Sequence, residues 1–464
     1  HSFCADILRE RPLEAGIDPA FTVATEDDAA ALLERAFDSW FQTVLEDPPE
    51  GVRRYLRRRP WKPDEGPRQR LLTACRDLAD HRDYDRPWRR DAFDRESAID
   101  ALVEEARALG SLGGLALNQY DPLARCLAGL EAFSHRVANR DAAAGTRDYD
   151  WLEAELLALD RALDWNRKGR GKSFADGILR ADVVARRDAL RRSLDRFRRA
   201  ADADLAACLF RELQPVVQAY ENLKASVGAL DFLDLLLRTR DLVRDHPAVR
   251  RDLQERFGHI YVDEFQDTDP LQAEIVMLLA ADDPAQADAR ECRPVPGKLF
   301  VVGDPKQSIY RFRRADVAMY ARIKAQLVAT GAEVLYLRTS FRSVPAIQGA
   351  VNTSFERVMQ GSDDGSQADY VALAPHREAD DSQPSVVALP VPAPYGWNGR
   401  VTKAAVVEST PDAVAAFVHW LVNDSGWTVE DPDSGERVPV ASGHICLLFR
   451  RFVQLREDVT RPYV

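Results

Sequence analysis

The sequence predicts an α/β protein preceded by a large helical block, and three observations carry that reading. From Asp27 to about Asp245 apolar residues recur at three- and four-residue spacing, the period of amphipathic helices. After Phe257 short β-branched or apolar runs alternate with helical stretches, the pattern of a parallel sheet flanked by helices. At 464 residues the chain is also too long for one ordinary domain. At least two folding units are expected.

In the first block the helical spacing is clearest over Ala29 to Phe41, Ile99 to Leu109, Trp151 to Leu163, Asp182 to Ala207 and Ala219 to Val227, and strand signals are nearly absent. Pro48-Pro49, Pro60-Trp61-Lys62-Pro63 and Gly110 to Gly114 mark turns. In the second block strands are predicted at His259 to Val262, Leu299 to Val302, Val334 to Leu337 and His444 to Phe449, with one more at Ser385 to Leu389 inside a Pro-rich, acidic loop. Helices are predicted between them at Leu271 to Ala280, Val317 to Leu327, Val344 to Val358 and Pro411 to Val422.

Composition narrows the class. The chain is 45% hydrophobic and 30% charged. No apolar run approaches the roughly 18 residues of a membrane span, so no membrane partner is expected. Six scattered cysteines form no C-x-x-C pair and have no histidine at ligand spacing, which suggests a reducing cytoplasm and no structural zinc. The net charge of −12 argues only mildly against nucleic acid, because charge acts locally. Arginine clusters in runs such as Arg53-Arg54, Arg57-Arg58-Arg59, Arg186-Arg187, Arg191-Arg192 and Arg198-Arg199, most of them expected to be solvated helix faces and a minority phosphate contacts. The opening His1-Ser2-Phe3-Cys4 and the closing Arg461-Pro462-Tyr463-Val464 both read as cuts in a longer chain.

Three strand-end strings carry chemistry. Ile260 to Val262 runs into Asp263-Glu264-Phe265-Gln266-Asp267-Thr268, placing two adjacent acids at the carboxyl edge of a sheet, where open α/β folds bind ligands. In nucleotide hydrolases the first such acid holds Mg²⁺ and the second orients and deprotonates the attacking water. A second strand ends in Gly303-Asp304-Pro305-Lys306-Gln307-Ser308-Ile309-Tyr310-Arg311-Phe312-Arg313. There the Gln307 amide can sense a phosphate or the attacking water, while Tyr310 and Phe312 offer rings to bases and the arginines offer cations to phosphates. A third strand leads into Ser340-Phe341-Arg342-Ser343, whose arginine can reach a γ-phosphate.

Taken together these strings resemble the UvrD/RecB group of superfamily-one DNA helicases. Val262 to Thr268 resembles helicase motif II, and Gly303 to Arg313 motif III, with the Pro-Lys and Phe choices nearest the RecB and AddA branch. Ser340 to Ser343 resembles motif IV, Asp231-Phe232-Leu233-Asp234-Leu235 the D-F-x-D-L segment before motif II, and His1 to Cys4 the end of motif Ib. The resemblance implies RecA-like P-loop NTPase lobes, both incomplete here, with an all-helical insertion. Residues 1–20 would be a remnant of the first lobe, 21–225 the insertion, 226–330 the rest of that lobe, and 331–464 the start of the second. It implies ATP and Mg²⁺ as cofactors, with Asp263 on the metal, Glu264 as catalytic base, Gln307 coupling the γ-phosphate to DNA, Arg342 as arginine finger, and Gln266 also at the nucleotide. Phe312 stands at a base-stacking position, with Tyr310 and Arg313 beside it on single-stranded DNA. Arg314 departs from the family's usual glycine. By the same resemblance the activity is 3′ to 5′ translocation in double-strand-break repair, on single-stranded and duplex DNA, and the candidate protein partner is a second helicase–nuclease subunit.

The family's G-x-x-x-x-G-K-[ST] loop is not found in the expected context. The nearest string, Asn166-Arg167-Lys168-Gly169-Arg170-Gly171-Lys172-Ser173, has asparagine at the first glycine and no preceding strand, and reads as a basic loop of the insertion. Motifs V and VI and a PD-(D/E)xK nuclease segment are absent from these residues as well, so the 464-residue chain is expected to be inactive alone. The competing readings are a non-catalytic DNA-binding scaffold that keeps helicase motifs, and a P-loop ATPase without helicase activity, which leaves the Gln307 to Arg313 string unexplained.

Overall fold

The computed structural model describes residues 1–59, 66–84, 88–166, 168–309, 314, 316–362, 367–379, 382–390, 400–431, 433–449, 453–454, 457–458 and 460. The chain divides into two compact units, His1–Ile260 with Leu271–Lys298, and Tyr261–Pro270 with Leu299–Val464. This division keeps the helical block and residues 226–260 together.

In the first unit, helix α1 (Ser2–Glu10) packs with α10 (Phe232–Asp245) through a core of Cys4, Ile7, Leu8, Leu235, Leu236 and Val243, and α11 (Pro247–Arg256) adds Val249 and Leu253 to the same core. Strand β1 (Thr22–Val23) pairs in parallel with β4 (Ala229–Leu230), Thr22 opposite Ala229 and Val23 opposite Leu230. The chain therefore returns from the helical block beside the point at which it left.

Between those points lie α2 (Glu26–Val44), α3 (Glu50–Arg57), α4 (Pro67–Asp80), α5 (Arg95–Gly110), α6 (Pro122–Ala144), α7 (Tyr149–Ala162), α8 (Arg180–Glu212) and α9 (Gln214–Ser226). Thr25, Asp94, Asp121 and Asp148 cap four of these helices, each side chain accepting a backbone N–H that the first turn leaves unpaired. The helices bury two separate cores, one around Phe133, Leu152 and Leu190 and the other around Phe37, Leu71 and Leu209. At the α5–α6 crossing a Cβ on Gly110 would lie 2.7 Å from the backbone nitrogen of Glu131, so only glycine lets the two helices approach this closely. The block is not all helical: β2 (Ser173–Ala175) and β3 (Ile178–Leu179) form a small antiparallel hairpin.

The arginine run that starts in α3 is a solvated face only in part, with Arg53, Arg57 and Arg59 exposed and Arg54 and Arg58 drawn inward. Arg54 is wholly buried and bonds Glu153 at 2.9 Å and Asp204 at 2.6 Å, while Arg53 reaches Asp150 at 2.5 Å and Arg58 reaches Glu153 at 2.7 Å. Arg57 pairs with Asp148 and Arg59 with Glu155. The run is thus an ion-pair seam joining α3 to α7 and α8, in which each desolvated guanidinium is matched by carboxylates.

In the second block, β5 (Ile260–Val262) and β6 (Leu299–Val301) lie side by side, and bonds from Ile260 N to Lys298 O and from Val302 N to Val262 O advance together along both strands, as in a parallel pair. The strand predicted at Val334 to Leu337 does not form. Those four side chains are 37%, 71%, 58% and 88% exposed, and the backbone is paired two residues later, where β7 (Thr339–Ser340) runs parallel to β8 (Ala374–Pro375). No strand forms at Ser385 to Leu389 or His444 to Phe449 either. Apolar runs become strands only where a neighbouring backbone takes up their hydrogen bonds in register. The predicted helices appear as α12 (Pro270–Ala280), α13 (Val317–Ala329), α14 (Pro345–Phe355) and α15 (Lys403–Asn423). No helix is long and apolar enough to cross a membrane, among the described residues.

Candidate active site

The carboxyl ends of β5 and β6 bring together four of the predicted site residues, Asp263, Glu264, Gln266 and Gln307. Phe265 N–H donates to Val302 O at 3.0 Å, which continues the strand pairing past the acids and lays the 263–268 turn beside Gly303. Phe265 is buried against Tyr320 of α13, and the Tyr320 hydroxyl donates to Gly303 O at 3.3 Å, so one aromatic residue supports both turns.

Glu264 sits at φ 49° and ψ 41°. A long side chain in the left-handed region is strained by about 1–3 kcal/mol and persists only where its surroundings hold it. Three bonds do so: Asp263 Oδ1 accepts the Glu264 N–H at 2.9 Å, Glu264 O accepts the Asp267 N–H at 2.9 Å, and Glu264 Oε2 accepts from Gln266 Nε2 at 2.6 Å. Both acids remain exposed at the strand end.

Gln266, which the resemblance places at the nucleotide, has both ends of its amide engaged within the protein. It is 2% exposed; while its nitrogen holds Glu264, its Oε1 accepts the Asp304 N–H at 2.9 Å and its main-chain O accepts the Ser308 hydroxyl at 3.2 Å. Gly303 is glycine for the same reason, since a Cβ there would fall 2.9 Å from Gln266 Oε1.

The 303–308 turn is organised by Asp304, a residue the sequence reading passed over. Its carboxylate accepts the Lys306 N–H at 3.1 Å and ammonium at 2.9 Å, and Gln307 Nε2 at 3.0 Å. Burial pushes the Asp304 carboxyl up, but the hydrogen bonds from Gln307 and Lys306 outweigh it and hold the group below the ordinary carboxylate range. The short Gly303-Asp304-Pro305 step off a strand was the available signal, because aspartate before a turn commonly accepts a backbone N–H two residues on. Gln307 is exposed, with its side-chain nitrogen on Asp304.

Arg342 is exposed just past β7, and no hydrogen bond or ion pair joins it to the 263–307 cluster among the described residues. Tyr310, Phe312 and Arg313 lie outside the described residues. Arg314 has φ 72°, the conformation glycine adopts freely, and its guanidinium meets Asp269 at 3.0 Å. The ion pair offsets part of the strain of an arginine in this region.

The donor set at the strand end suits a hard cation. Asp263 offers a carboxylate oxygen with no partner among the described residues, and Mg²⁺ typically takes one or two carboxylates together with phosphate oxygens. By contrast Glu50, Asp204 and Cys208, which also lie close together, have their carboxylates on Arg54 and Arg90, so they belong to the ion-pair seam.

The Gly-Lys-Ser loop is built around a cation. The Arg180 guanidinium bonds Gly171 O at 3.0 Å, Lys168 O at 3.2 Å and Ser173 O at 3.4 Å, and pairs with Asp121 at 3.0 Å. A phosphate loop turns backbone N–H groups inward and opens a helix. This one turns carbonyls inward and opens a hairpin.

Residues 184–327 match the UvrD/REP helicase N-terminal domain. The chain is 23% identical over 406 residues to the A subunit of the ATP-dependent helicase/nuclease of Syntrophomonas wolfei, covering 80% of this chain and 31% of that protein. It is 28% identical over 431 residues to the protein of that name from Desulforudis audaxviator, covering 77% and 32%. A shorter stretch of 143 residues is 37% identical to DNA helicase II of Escherichia coli, covering 31% and 18%. The chain spans about a third of the length of the helicase/nuclease relatives.

Proposed function

Because this chain carries a UvrD/REP helicase N-terminal domain and is homologous to the helicase/nuclease A subunits and to UvrD, we propose that it is the motor portion of an ATP-dependent DNA helicase. In this reading the substrates are ATP and DNA, translocation runs 3′ to 5′ on a single strand, and the setting is double-strand-break repair or recombination beside a second helicase–nuclease subunit. The observation that carries the proposal is the hydrogen-bonded cluster at the ends of β5 and β6: two exposed acids on one turn, tied through Gln266 to the turn that holds Gln307.

Each residue has a separate task. Asp263 would hold Mg²⁺, which neutralises phosphate charge when bound. Glu264, locked at the strand end, accepts the proton of the water that attacks the γ-phosphate. Gln307 can exchange its bond to Asp304 for one to that phosphate, so the 303–308 turn registers the nucleotide. Arg342 would approach the γ-phosphate when the helicase closes on ATP, and Phe312 with Tyr310 and Arg313 would stack and anchor single-stranded DNA. The chain leaves β1 and returns at β4, which supports treating 21–225 as an insertion in the first of two RecA-like lobes. Since Arg180 fills the Gly-Lys-Ser loop, the phosphate-gripping lysine is expected outside residues 1–464.

The test is strand displacement by the full-length protein. Mg²⁺- and ATP-dependent opening of a duplex with a 3′ single-stranded tail, lost in Asp263→Ala, is the expected result. Equal or preferential opening from a 5′ tail overturns the polarity. Tight DNA binding with no displacement and no ATP turnover would favour the scaffold reading instead.

A further inference from the structure

The structure assigns Gln266 the role of a positioning residue that aims the Glu264 carboxylate and makes hydrolysis depend on the 303–308 turn. This deepens the helicase reading and rests on it.

Every polar group of the Gln266 side chain is committed, and to opposite sides. Nε2 donates to the Glu264 carboxylate at 2.6 Å, and Oε1 accepts the Asp304 N–H at 2.9 Å. The main chain adds a tie of the same sense, with Ser308 Oγ donating to Gln266 O at 3.2 Å. The residue is 2% exposed, so water does not compete for these bonds, and an amide buried in this way is costly to leave unpaired. A carboxamide is planar and rigid: if the Asp304 backbone shifts, the bond at Oε1 turns the plane and Nε2 moves the carboxylate with it.

The two ends of this link are the parts that must communicate. Asp304 holds Gln307 at 3.0 Å, on the turn that leads into Tyr310, Phe312 and Arg313. Glu264 stands in a strained left-handed conformation held by few bonds, so one of them has large leverage over where its carboxylate points. The absence of a side chain at Gly303 keeps the link short, since a Cβ would press on Gln266 Oε1 at 2.9 Å. A relay needs both ends occupied, as they are.

The experiment measures steady-state ATP hydrolysis by the full-length protein, with and without saturating single-stranded DNA. In Gln266→Leu, which fills the space but makes neither bond, kcat with DNA falls about 10- to 100-fold, the scale of a misplaced general base. KM for ATP and affinity for single-stranded DNA stay within about threefold, because no ligand contact is lost. Gly303→Ala, which presses on the link from the other side, gives a smaller loss of the same kind. The split between a lowered kcat and an unmoved KM is the readout that a merely structural role would not give.

Hydrolysis by Gln266→Leu within about threefold of the unsubstituted rate, or a roughly tenfold rise in KM with kcat unchanged, overturns the assignment. Should Gln266→Leu fail to fold, as judged by circular dichroism, an unchanged kcat in Gly303→Ala overturns it equally. The control is Glu264→Gln. If the unsubstituted protein shows no DNA-stimulated hydrolysis that this change abolishes, the helicase reading itself fails and the role of Gln266 falls with it.

Discussion

Replacing Asp231 with alanine should unfold the first unit more readily by about 3–5 kcal/mol, the range found when one partner of a buried charge pair is removed. The carboxylate accepts from Tyr220 Oη at 2.8 Å, Lys224 Nζ at 2.8 Å and Arg82 at 2.7 Å, and caps α10 by accepting the Asp234 N–H at 2.8 Å. Lys224 and Arg82 have side chains only 3% and 5% exposed. Without Asp231, Lys224 is left with Asp234 and Arg82 with Asp234 and a longer contact to Glu221 at 3.6 Å, and the capping box of α10 loses half its bonds. The cap by itself is worth about 1 kcal/mol, and asparagine caps as well as aspartate. Asp231→Asn should therefore be milder than Asp231→Ala by about that amount, with the remaining loss due to charge. Urea unfolding followed by circular dichroism measures both. A loss under about 1 kcal/mol in each variant would refute the reasoning, because the two buried cations would then be tolerated without their partner.

The same group sets a pH dependence. Burial alone would push the Asp231 carboxyl up, but Arg82 and Lys224 overcome it and hold the group well below the usual carboxylate range. The folded state thus binds this proton less readily than the unfolded chain. Its contribution is present above the unfolded value of about 4 and is lost as pH falls from there towards the lower folded value. In Asp231→Asn that part of the acid sensitivity should disappear.

Other outcomes follow from the same structure. Gly110→Ala should destabilise the helical block by roughly 1–3 kcal/mol in thermal melts, since its Cβ would strike the backbone of α6 at 2.7 Å. Arg342→Ala in the full-length protein should lower kcat by about 10³-fold or more with DNA binding retained, the effect of removing an arginine finger; a loss under about tenfold counts against that role. Phe312→Ala with Arg313→Ala should weaken single-strand binding by about 1–3 kcal/mol and flatten its salt dependence, measured by fluorescence anisotropy. The isolated 464-residue chain should hydrolyse ATP at the background rate, and DNA-stimulated turnover by it would show that the phosphate grip lies within these residues.

Helices were legible because three- and four-residue spacing survives in any helix that buries one face: α8, expected from Asp182 to Ala207, extends only a turn or so beyond those limits. Strands were legible only where partners existed. Ile260–Val262 and Leu299–Val301 pair, while the equally apolar Val334 to Leu337 does not, and periodicity carries no information about what stands alongside. The arginine run at 53–59 misled because charge alone does not reveal whether acids from α7 and α8 fold over it. In the site, the strand-end position of Asp263 and Glu264 could be read from sequence, whereas the role of Gln266 could not: its partners at 264 and 304 are brought together only by the parallel pairing of β5 with β6. The left-handed Arg314 lies between these cases, since its departure from glycine was visible and its ion pair with Asp269 was not.

The proposed hydrolytic centre of a DNA-driven motor, the 263–264 turn, is probed by single-turnover ATP hydrolysis on single-stranded DNA, comparing the full-length protein with its Glu264→Gln variant. Nucleotide and DNA affinities should persist while the hydrolysis step slows by about 10²- to 10⁴-fold, the contribution of a positioned general base. Hydrolysis within about threefold of the unsubstituted protein would contradict it, and the catalytic base would have to be sought elsewhere.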